Sequence, residues 1–292
     1  MTHMLMQHLG RASLLLLATG LLLWLSVIAF LKLVGIGSLR DWVSRRNAAS
    51  ALVMAGFSIG LGLTLSGLFF GRHLEPSWEG VMRCWTEGLT SIPLLFLGIW
   101  INDRLVLRRI PIRREIHDDR NLGVALAVAG SCVLSGLTLN GALMGISPSW
   151  WHAIIDIMLY WTVAQLMVMV AVTAMDRCRA YDFQSLLEDE DNTAVGILLC
   201  GLFISIGLIA RGSIVHAGGL PWGTDLWVSC VLALTGSILL LISRWIVSAI
   251  WFRQSAMDEI ELTNNVAMAV VLSAGQVGLA MLISSAIQRP EF

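Results

Sequence analysis

The sequence predicts an all-α integral membrane protein with eight transmembrane helices. Three observations support this fold class: a hydrophobic composition, a series of apolar runs of bilayer-spanning length, and an internal repeat. Of the 292 residues, 57% are hydrophobic and 13% are charged, whereas about a quarter of the residues in a soluble domain carry charge. Because 19 Lys and Arg residues nearly balance 20 Asp and Glu residues, no nucleic-acid partner is expected.

Eight apolar segments are long enough to cross a hydrocarbon core about 30 Å thick, which takes roughly 20 residues of helix. Helices are expected because backbone groups inside the bilayer must pair with one another. The first segment is too long for the apolar region of a signal peptide and lacks a cleavage site, so it is predicted to remain in the mature protein. The predicted spans are 12–36, 48–70, 84–101, 122–145, 153–175, 193–215, 225–249 and 266–287.

The arginines predict the orientation of these spans. Twelve arginines lie in the loops that follow odd-numbered spans, and five lie on the opposite side, termini included. Loops rich in Lys and Arg stay in the cytoplasm. We therefore expect a multi-pass protein of the bacterial inner (plasma) membrane, with both termini outside the cytoplasm.

An internal repeat occurs four times. Each copy opens with an asparagine followed by small and aliphatic residues, and each asparagine comes one residue before an even-numbered span: Asn47, Asn121, Asn192 and Asn265. The asparagines are 74, 71 and 73 residues apart. Since each copy holds two spans, the four helical hairpins are parallel repeats, unlike the inverted repeats of many transporters. Pairs of repeats divide the chain into two four-span units, residues 1–146 and 147–292.

Small residues recur 2, 4, 9, 15 and 20 positions after each asparagine. Offsets 2, 9 and 20 share one helix face, and offsets 4 and 15 share a nearly opposite one. Small residues let membrane helices approach closely, so we expect Gly/Ala-rich even spans packed inside, bulkier odd spans facing lipid, and a pseudo-fourfold or pseudo-twofold arrangement about the membrane normal. The glycines assigned to packing are Gly56, Gly60, Gly62, Gly67, Gly130, Gly136, Gly141, Gly201, Gly207 and Gly212.

An acidic stretch before the asparagine, then a Gly-rich span, resembles a bacterial inner-membrane family catalogued as domain of unknown function 350, which includes the YjfL-like proteins. The matching stretches are Glu115-Ile-His-Asp-Asp-Arg-Asn121, Glu188-Asp-Glu-Asp-Asn192 and Glu259-Ile-Glu-Leu-Thr-Asn-Asn265. The first copy, Asp41-Trp-Val-Ser-Arg-Arg-Asn47, departs because it is basic just before its asparagine. The resemblance implies two four-span units in tandem and supplies no activity.

The four asparagines have two interpretations. As helix N-caps, their side chains would satisfy free N–H groups at the start of each even span. As a quasi-symmetric ring of amides, they would line the inner mouth of a pore. Two intramembrane acids, Glu87 and Asp156, lie at similar depths near the opposite face, and such charges often mark ion or proton sites. Partly solvated acids at the water boundary are the simpler interpretation.

Two functions therefore remain open. One is permeation of a small ion or solute, with Glu87 and Asp156 at a vestibule. The other is a non-transporting scaffold or envelope-stress subunit, which binds a cytoplasmic protein through the charged loops at 103–121 and 176–192. A hydrated path would favour permeation, and a dry, glycine-packed centre would favour the scaffold. No enzyme motif, cofactor or metal-ligand spacing occurs in the sequence, so we expect no catalytic activity; a homo-oligomer is left open.

Overall fold

In a computed structural model, residues 2–34, 46–70, 78–145, 149–177, 183–215, 221–247 and 255–288 are described. These residues form helices, turns and irregular segments, with no strand among them. A π-helical turn at Asn102–Val106 directly follows the α-helix Trp78–Ile101. The α-helices are α1 (Thr2–Val34), α2 (Ala48–Phe70), α3 (Trp78–Ile101), α4 (Ile112–His117), α5 (Leu122–Leu143), α6 (Trp150–Arg177), α7 (Phe183–Glu188), α8 (Thr193–Ile214), α9 (Trp222–Val247), α10 (Ser255–Thr263) and α11 (Val266–Ile287).

The predicted membrane fold is confirmed. Seven of the described helices are long and apolar enough to cross a bilayer, and α1 carries a shorter apolar stretch at Leu16–Lys32. The bounds of α2 and α11 coincide with the predicted spans, and the other helices differ from them by a few residues, except that α1 begins ten residues earlier. Pro93 lies inside α3 without ending it.

The four helices that follow the asparagines, α2, α5, α8 and α11, form one continuous row. We call them the row helices. Each packs extensively on the next in chain order, from α2 to α5, from α5 to α8 and from α8 to α11. Because the two small-residue faces of each helix point in nearly opposite directions, a helix placed on one face leaves the other face for the next helix.

The row is open, so the predicted pseudo-fourfold or pseudo-twofold arrangement of these helices is wrong. Only α5 and α8 have neighbours in the row on both sides, and only they are mostly buried. The predicted interior position of all four row helices therefore holds for the middle two. The end helices α2 and α11 each expose one small-residue face to the surroundings.

Gly62 is the glycine for which the packing prediction fails. It is exposed, and a Cβ atom added to it would meet nothing within 4 Å. Its equivalents at the same offset, Gly136 and Gly207, both pack against the preceding row helix. Since α2 is the first helix of the row, it has no preceding row helix for Gly62 to contact.

The remaining spanning helices, α1, α3, α6 and α9, lie against the row. Of these, α3 packs on α2 and α5, α6 packs on α5 and α8, and α9 packs on α8 and α11. Successive members α1, α3 and α6 also contact one another. A narrow stripe of α8 stays half-exposed, including Ile197, Ile204 and Leu208. The fold is thus a glycine-packed row with a layer of bulkier helices against it.

Candidate functional site

The four asparagines lie on one side of the membrane, at the start of the row helices, and all four adopt N-cap geometry. In each, the side-chain Oδ1 accepts a hydrogen bond from the backbone N–H three residues later. The donors are Ser50 N at 3.1 Å and Val124 N, Val195 N and Met268 N at 3.0 Å each. This bond satisfies one of the N–H groups that a helix leaves free at its first turn.

The residue before each asparagine has a left-handed backbone. The φ angles are 48° at Arg46, 58° at Arg120, 48° at Asp191 and 51° at Asn264. A non-glycine residue in this region costs on the order of 1–2 kcal/mol. Because all four repeats have this uncommon conformation, the chain enters each row helix through the same type of turn.

The asparagine amides also join successive repeats. Asn47 Nδ2 donates to Ile116 O at 2.8 Å, and Asn121 Nδ2 donates to Leu187 O at 2.5 Å. Asn192 Nδ2 donates to Ile260 O at 3.1 Å and to Glu261 O at 3.0 Å. The acceptors lie in the short helices α4, α7 and α10, each belonging to the next repeat. These amides therefore form links along a row and do not form the ring that was one interpretation of the sequence.

Asn265, in the fourth repeat, makes a different bond. Its Nδ2 donates instead to Glu259 Oε2 of its own repeat at 3.3 Å, at an exposed position.

The short helices α4, α7 and α10 form a ledge at the asparagine end of the row, which we call the platform. Helices α4, α7 and α10 each contact their own row helix and the preceding row helix. Arg109 N also donates to Gln184 Oε1 at 3.0 Å, which ties the α3–α4 loop to α7. Each short helix of the platform is therefore held between two row helices.

The platform and the loops beside it carry two charged areas, the first of which also contains the exposed acids Asp118 and Asp119. The second repeat carries exposed cations: Arg104, Arg108, Arg109, Arg113, Arg114 and Arg120. The third repeat carries the exposed acids Asp189, Glu190 and Asp191. A basic area therefore lies beside an acidic area, with the ion pair between Arg114 Nε and Asp119 Oδ2 (3.3 Å) on the exposed surface.

Glu115 of α4 is one of two buried acids among the described residues of the platform, with 5% of its surface exposed; the other is Glu261 of α10, at 4%. Glu115 Oε2 accepts from Asn121 Nδ2 at 3.0 Å. Burial raises the pKa of the Glu115 carboxyl, while the hydrogen bond from Asn121 opposes that shift; the acids Asp119, Glu188 and Asp191 add to the rise in pKa. The carboxyl therefore takes up a proton more readily than an exposed glutamate does.

The two predicted intramembrane acids have different neighbours. Glu87 in α3 is half-buried and, with Arg83 one turn earlier, lines a cavity of about 10 Å³, room for about one water molecule. Ile157 lines this cavity, whereas Asp156 is not among its lining residues. Asp156 Oδ1 instead accepts from Trp222 Nε1 at 2.6 Å.

Three polar side chains form a hydrogen-bonded line across α2, α5 and α8, near the ends of these helices opposite the asparagines. This line was not predicted from the sequence. Asn140 Nδ2 donates to Ser66 Oγ at 3.0 Å, and Arg211 Nε donates to Asn140 Oδ1 at 2.6 Å. All three residues stand 19 positions after their asparagines, directly before the small residues at offset 20. That polar column is the signal in the sequence, and its side chains meet because equivalent positions of neighbouring row helices lie side by side.

A second group of polar side chains is buried between α3, α5 and α6. Asn102 Nδ2 donates to Ser131 Oγ at 2.7 Å, and Gln165 Nε2 donates to Ser135 Oγ at 3.1 Å. Asn102 Oδ1 is buried without a hydrogen-bond partner among the described residues. These four residues come from three separate helices, so no spacing in the sequence brings them together.

Four parallel helical hairpins joined in one row define a polytopic membrane protein built from tandem repeats. The chain belongs to the family described as Domain of Unknown Function (DUF350), whose model matches residues 4–143 and again residues 149–287. The predicted tandem of two units is thereby confirmed. A protein of Aquifex aeolicus (strain VF5) named UPF0719 transmembrane protein is 22% identical over 251 residues, covering 83% of this chain and 87% of that protein. No solved structure matches the chain significantly.

Proposed function

We propose that the protein is a membrane scaffold that holds the platform at the cytoplasmic face of a bacterial inner membrane, where it binds a soluble protein. The observation that carries this proposal is the set of asparagine bonds that fix each short helix to the preceding repeat. The arginines of the second repeat favour a cytoplasmic platform, because loops rich in Arg stay on that side.

A fixed platform suits protein binding. A surface that is ordered before binding loses less conformational freedom when a partner docks on it. The basic area at α4 and the acidic area after α7 would orient a partner that carries the complementary pattern. The partner we propose is therefore a soluble protein with adjoining acidic and basic areas.

The packing of the row supports a scaffold in preference to a channel within one chain. The backbones of neighbouring row helices touch: a Cβ on Gly136 would lie 2.6 Å from Gly60 Cα, and a Cβ on Gly130 would lie 2.7 Å from Cys200 Cα. Helices in backbone contact leave no lumen between them. This is the dry, glycine-packed centre expected of the scaffold.

Photo-crosslinking in living cells tests the scaffold. A photoreactive residue at the exposed position Asp118 is expected to capture a discrete soluble protein, and the same residue at the lipid-facing position Leu241 is not. The charge reversals Arg108→Glu and Arg113→Glu should reduce capture, while Arg108→Lys and Arg113→Lys preserve it. The proposal would be contradicted if the charge reversals leave the amount of captured protein unchanged, or if no protein is captured at Asp118.

Permeation is the second candidate, favoured by Glu87 beside a small cavity inside the membrane. Ion and proton flux into liposomes that contain the purified protein distinguishes the two functions. The scaffold predicts no flux under any ion gradient or voltage. Flux that is lost on combining Glu87→Gln with Asp156→Asn, in a protein that stays folded, would replace the scaffold with permeation.

A further inference from the structure

The exposed small-residue faces of α2 and α11 correspond to the two sides of an interface that occurs three times within the row. In each use, the residue 9 positions after one asparagine packs on the residue 8 positions after the next asparagine. These pairs are Gly56 with Ala129, Gly130 with Cys200, and Gly201 with Ser273. The residue at offset 20 likewise packs on the residue at offset 19 in the next repeat: Gly67 with Asn140, Gly141 with Arg211, and Gly212 with Ser284.

The middle interface joins two family units. Helix α5 lies in the first match to the family model, residues 4–143, and α8 lies in the second, residues 149–287. Contact between α5 and α8 is as extensive as contact between the row helices within each unit. One family unit thus already docks on another through this interface, head to tail.

At the two ends of the row, one side of this interface is exposed on α11 and the other side is exposed on α2. On α11, the positions at offsets 9, 13 and 20 are Ala274, Gly278 and Ser285, and all three are exposed. On α2, Ala55 and Gly62 are exposed at offsets 8 and 15, and Ser66 is half-exposed at offset 19. A Cβ added at Gly62 or at Gly278 would meet nothing within 4 Å.

The asparagine bonds provide a second, independent observation. Asn47, Asn121 and Asn192 each donate to a backbone carbonyl of the following repeat. The amide of Asn265 bonds instead to Glu259 of its own repeat and stays at the surface. The end of the chain therefore presents the polar part of this interface as well as its small-residue face.

The charges at the two ends are complementary. The first repeat carries two arginines, Arg45 and Arg46, directly before its asparagine, and Arg46 is exposed. The last repeat carries the exposed acid Glu259 at the corresponding end of the row. In a row extended by one repeat, Arg46 of one copy approaches Glu259 of another.

From these observations we infer that copies of this chain associate head to tail, with α11 of one copy packed on α2 of the next. The expected contacts are Ala274 on Ala55, Gly278 on Gly62 and Ser285 on Ser66. All repeats share one orientation in the membrane, so a second copy docks without being inverted. Such a heterologous contact builds a ring or an extended strip. The inference is independent of the scaffold proposal, since it uses the ends of the row and neither the basic area at α4 nor the acidic area after α7.

Disulfide cross-linking in native membranes tests the contact. In the full chain with its five cysteines replaced by alanine, Ala55→Cys and Ala274→Cys are introduced together. A disulfide needs Cα atoms roughly 4.4–6.8 Å apart, so a bond reports direct helix contact. We expect a ladder of dimers, trimers and larger species, because every copy carries both halves. Either substitution alone should give no cross-linked product.

A steric variant provides the second measurement. Gly62→Leu is expected to convert the assembled protein to monomers in subunit counting by single-molecule photobleaching, while leaving the melting temperature unchanged within error. Gly20→Leu is the matched control, since Gly20 is another exposed glycine of a spanning helix with nothing within 4 Å of its Cβ position, and it should leave assembly unchanged. Cross-linking by a single cysteine, monomers only from the double variant, or assembly unaffected by Gly62→Leu would overturn the inference.

Discussion

At the scale of single residues, each repeat asparagine performs two tasks with one side chain. Its oxygen caps the row helix that follows it, and in the first three repeats its amide nitrogen binds the short helix of the next repeat. Serine and aspartate also cap helices well, but neither supplies an amide donor. The second task explains why asparagine, and not serine or aspartate, stands at this position in the first three repeats.

The substitution Asn192→Ser is expected to separate helix capping from the hydrogen bonds to the next repeat. Asn192→Ser keeps an N-cap oxygen but removes the donor to the carbonyls of Ile260 and Glu261, which should lower the free energy of unfolding by about 1–3 kcal/mol. The matched change Asn265→Ser removes one exposed bond and should cost less than about 0.5 kcal/mol. Denaturant unfolding in detergent measures both, and equal losses would show that capping alone matters.

The buried carboxyl of Glu115 predicts a pH dependence. Because burial raises the folded-state pKa above that of the unfolded chain, about 4.3, its contribution to stability is full below the unfolded pKa and is lost as the pH rises through the folded pKa. Glu115→Gln stays uncharged and can still accept from Asn121. The variant should therefore melt at a higher temperature than the wild type at pH 8, with the difference shrinking toward pH 4. A difference that does not vary with pH would contradict this assignment.

At the scale of elements, a row helix is defined by which of its two faces has a neighbour. The sequence gives α2, α5, α8 and α11 nearly equivalent faces, yet their burial differs because the row has ends. Residues at the same offset therefore respond differently to substitution.

Alanine substitutions at offset 15 are expected to show this difference. A Cβ at Gly136 would come 2.6 Å from Gly60 Cα, backbone against backbone, so Gly136→Ala should destabilise the protein by about 1–3 kcal/mol. Gly62→Ala meets no atom within 4 Å and should change stability by less than about 1 kcal/mol, with alanine favouring the helix. Melting temperatures in detergent compare the two, and a larger loss at Gly62 would contradict the open row.

At the scale of the whole molecule, the two family units form one continuous structure. The interface between α5 and α8 repeats the interfaces on either side of it, and Asn121 donates across it to Leu187 O. The boundary between the units is therefore a boundary in the sequence and not in the packing.

The interface between the units should survive a break in the chain. When residues 1–146 and 147–292 are co-expressed as separate chains, we expect them to co-purify. Gly196→Leu should abolish co-purification, because a side chain there would strike the backbone of Gly123. Gly223→Leu, at a glycine with nothing within 4 Å, should have no effect. Loss of co-purification without either substitution would show that the covalent link holds the units together.

The sequence by itself determined the membrane class, the bounds of most spans, the four repeats and the position of the asparagine that opens each one. These properties are local: they depend on apolar length, on residues at fixed offsets along one helix, and on the first turn of that helix. It also identified the glycine faces, since the two lines of small residues follow from helix geometry alone.

Only the tertiary structure decided that the row is open, that Gly62 faces outward, and that each asparagine amide reaches the next repeat. Equivalent repeats can close into a ring or extend in a line. The nearly opposite small-residue faces favour a line, but only the packing decides whether both faces of each helix are used. Likewise, the side chains of Asn102 and Gln165 meet only because α3 and α6 pack against the same row helix.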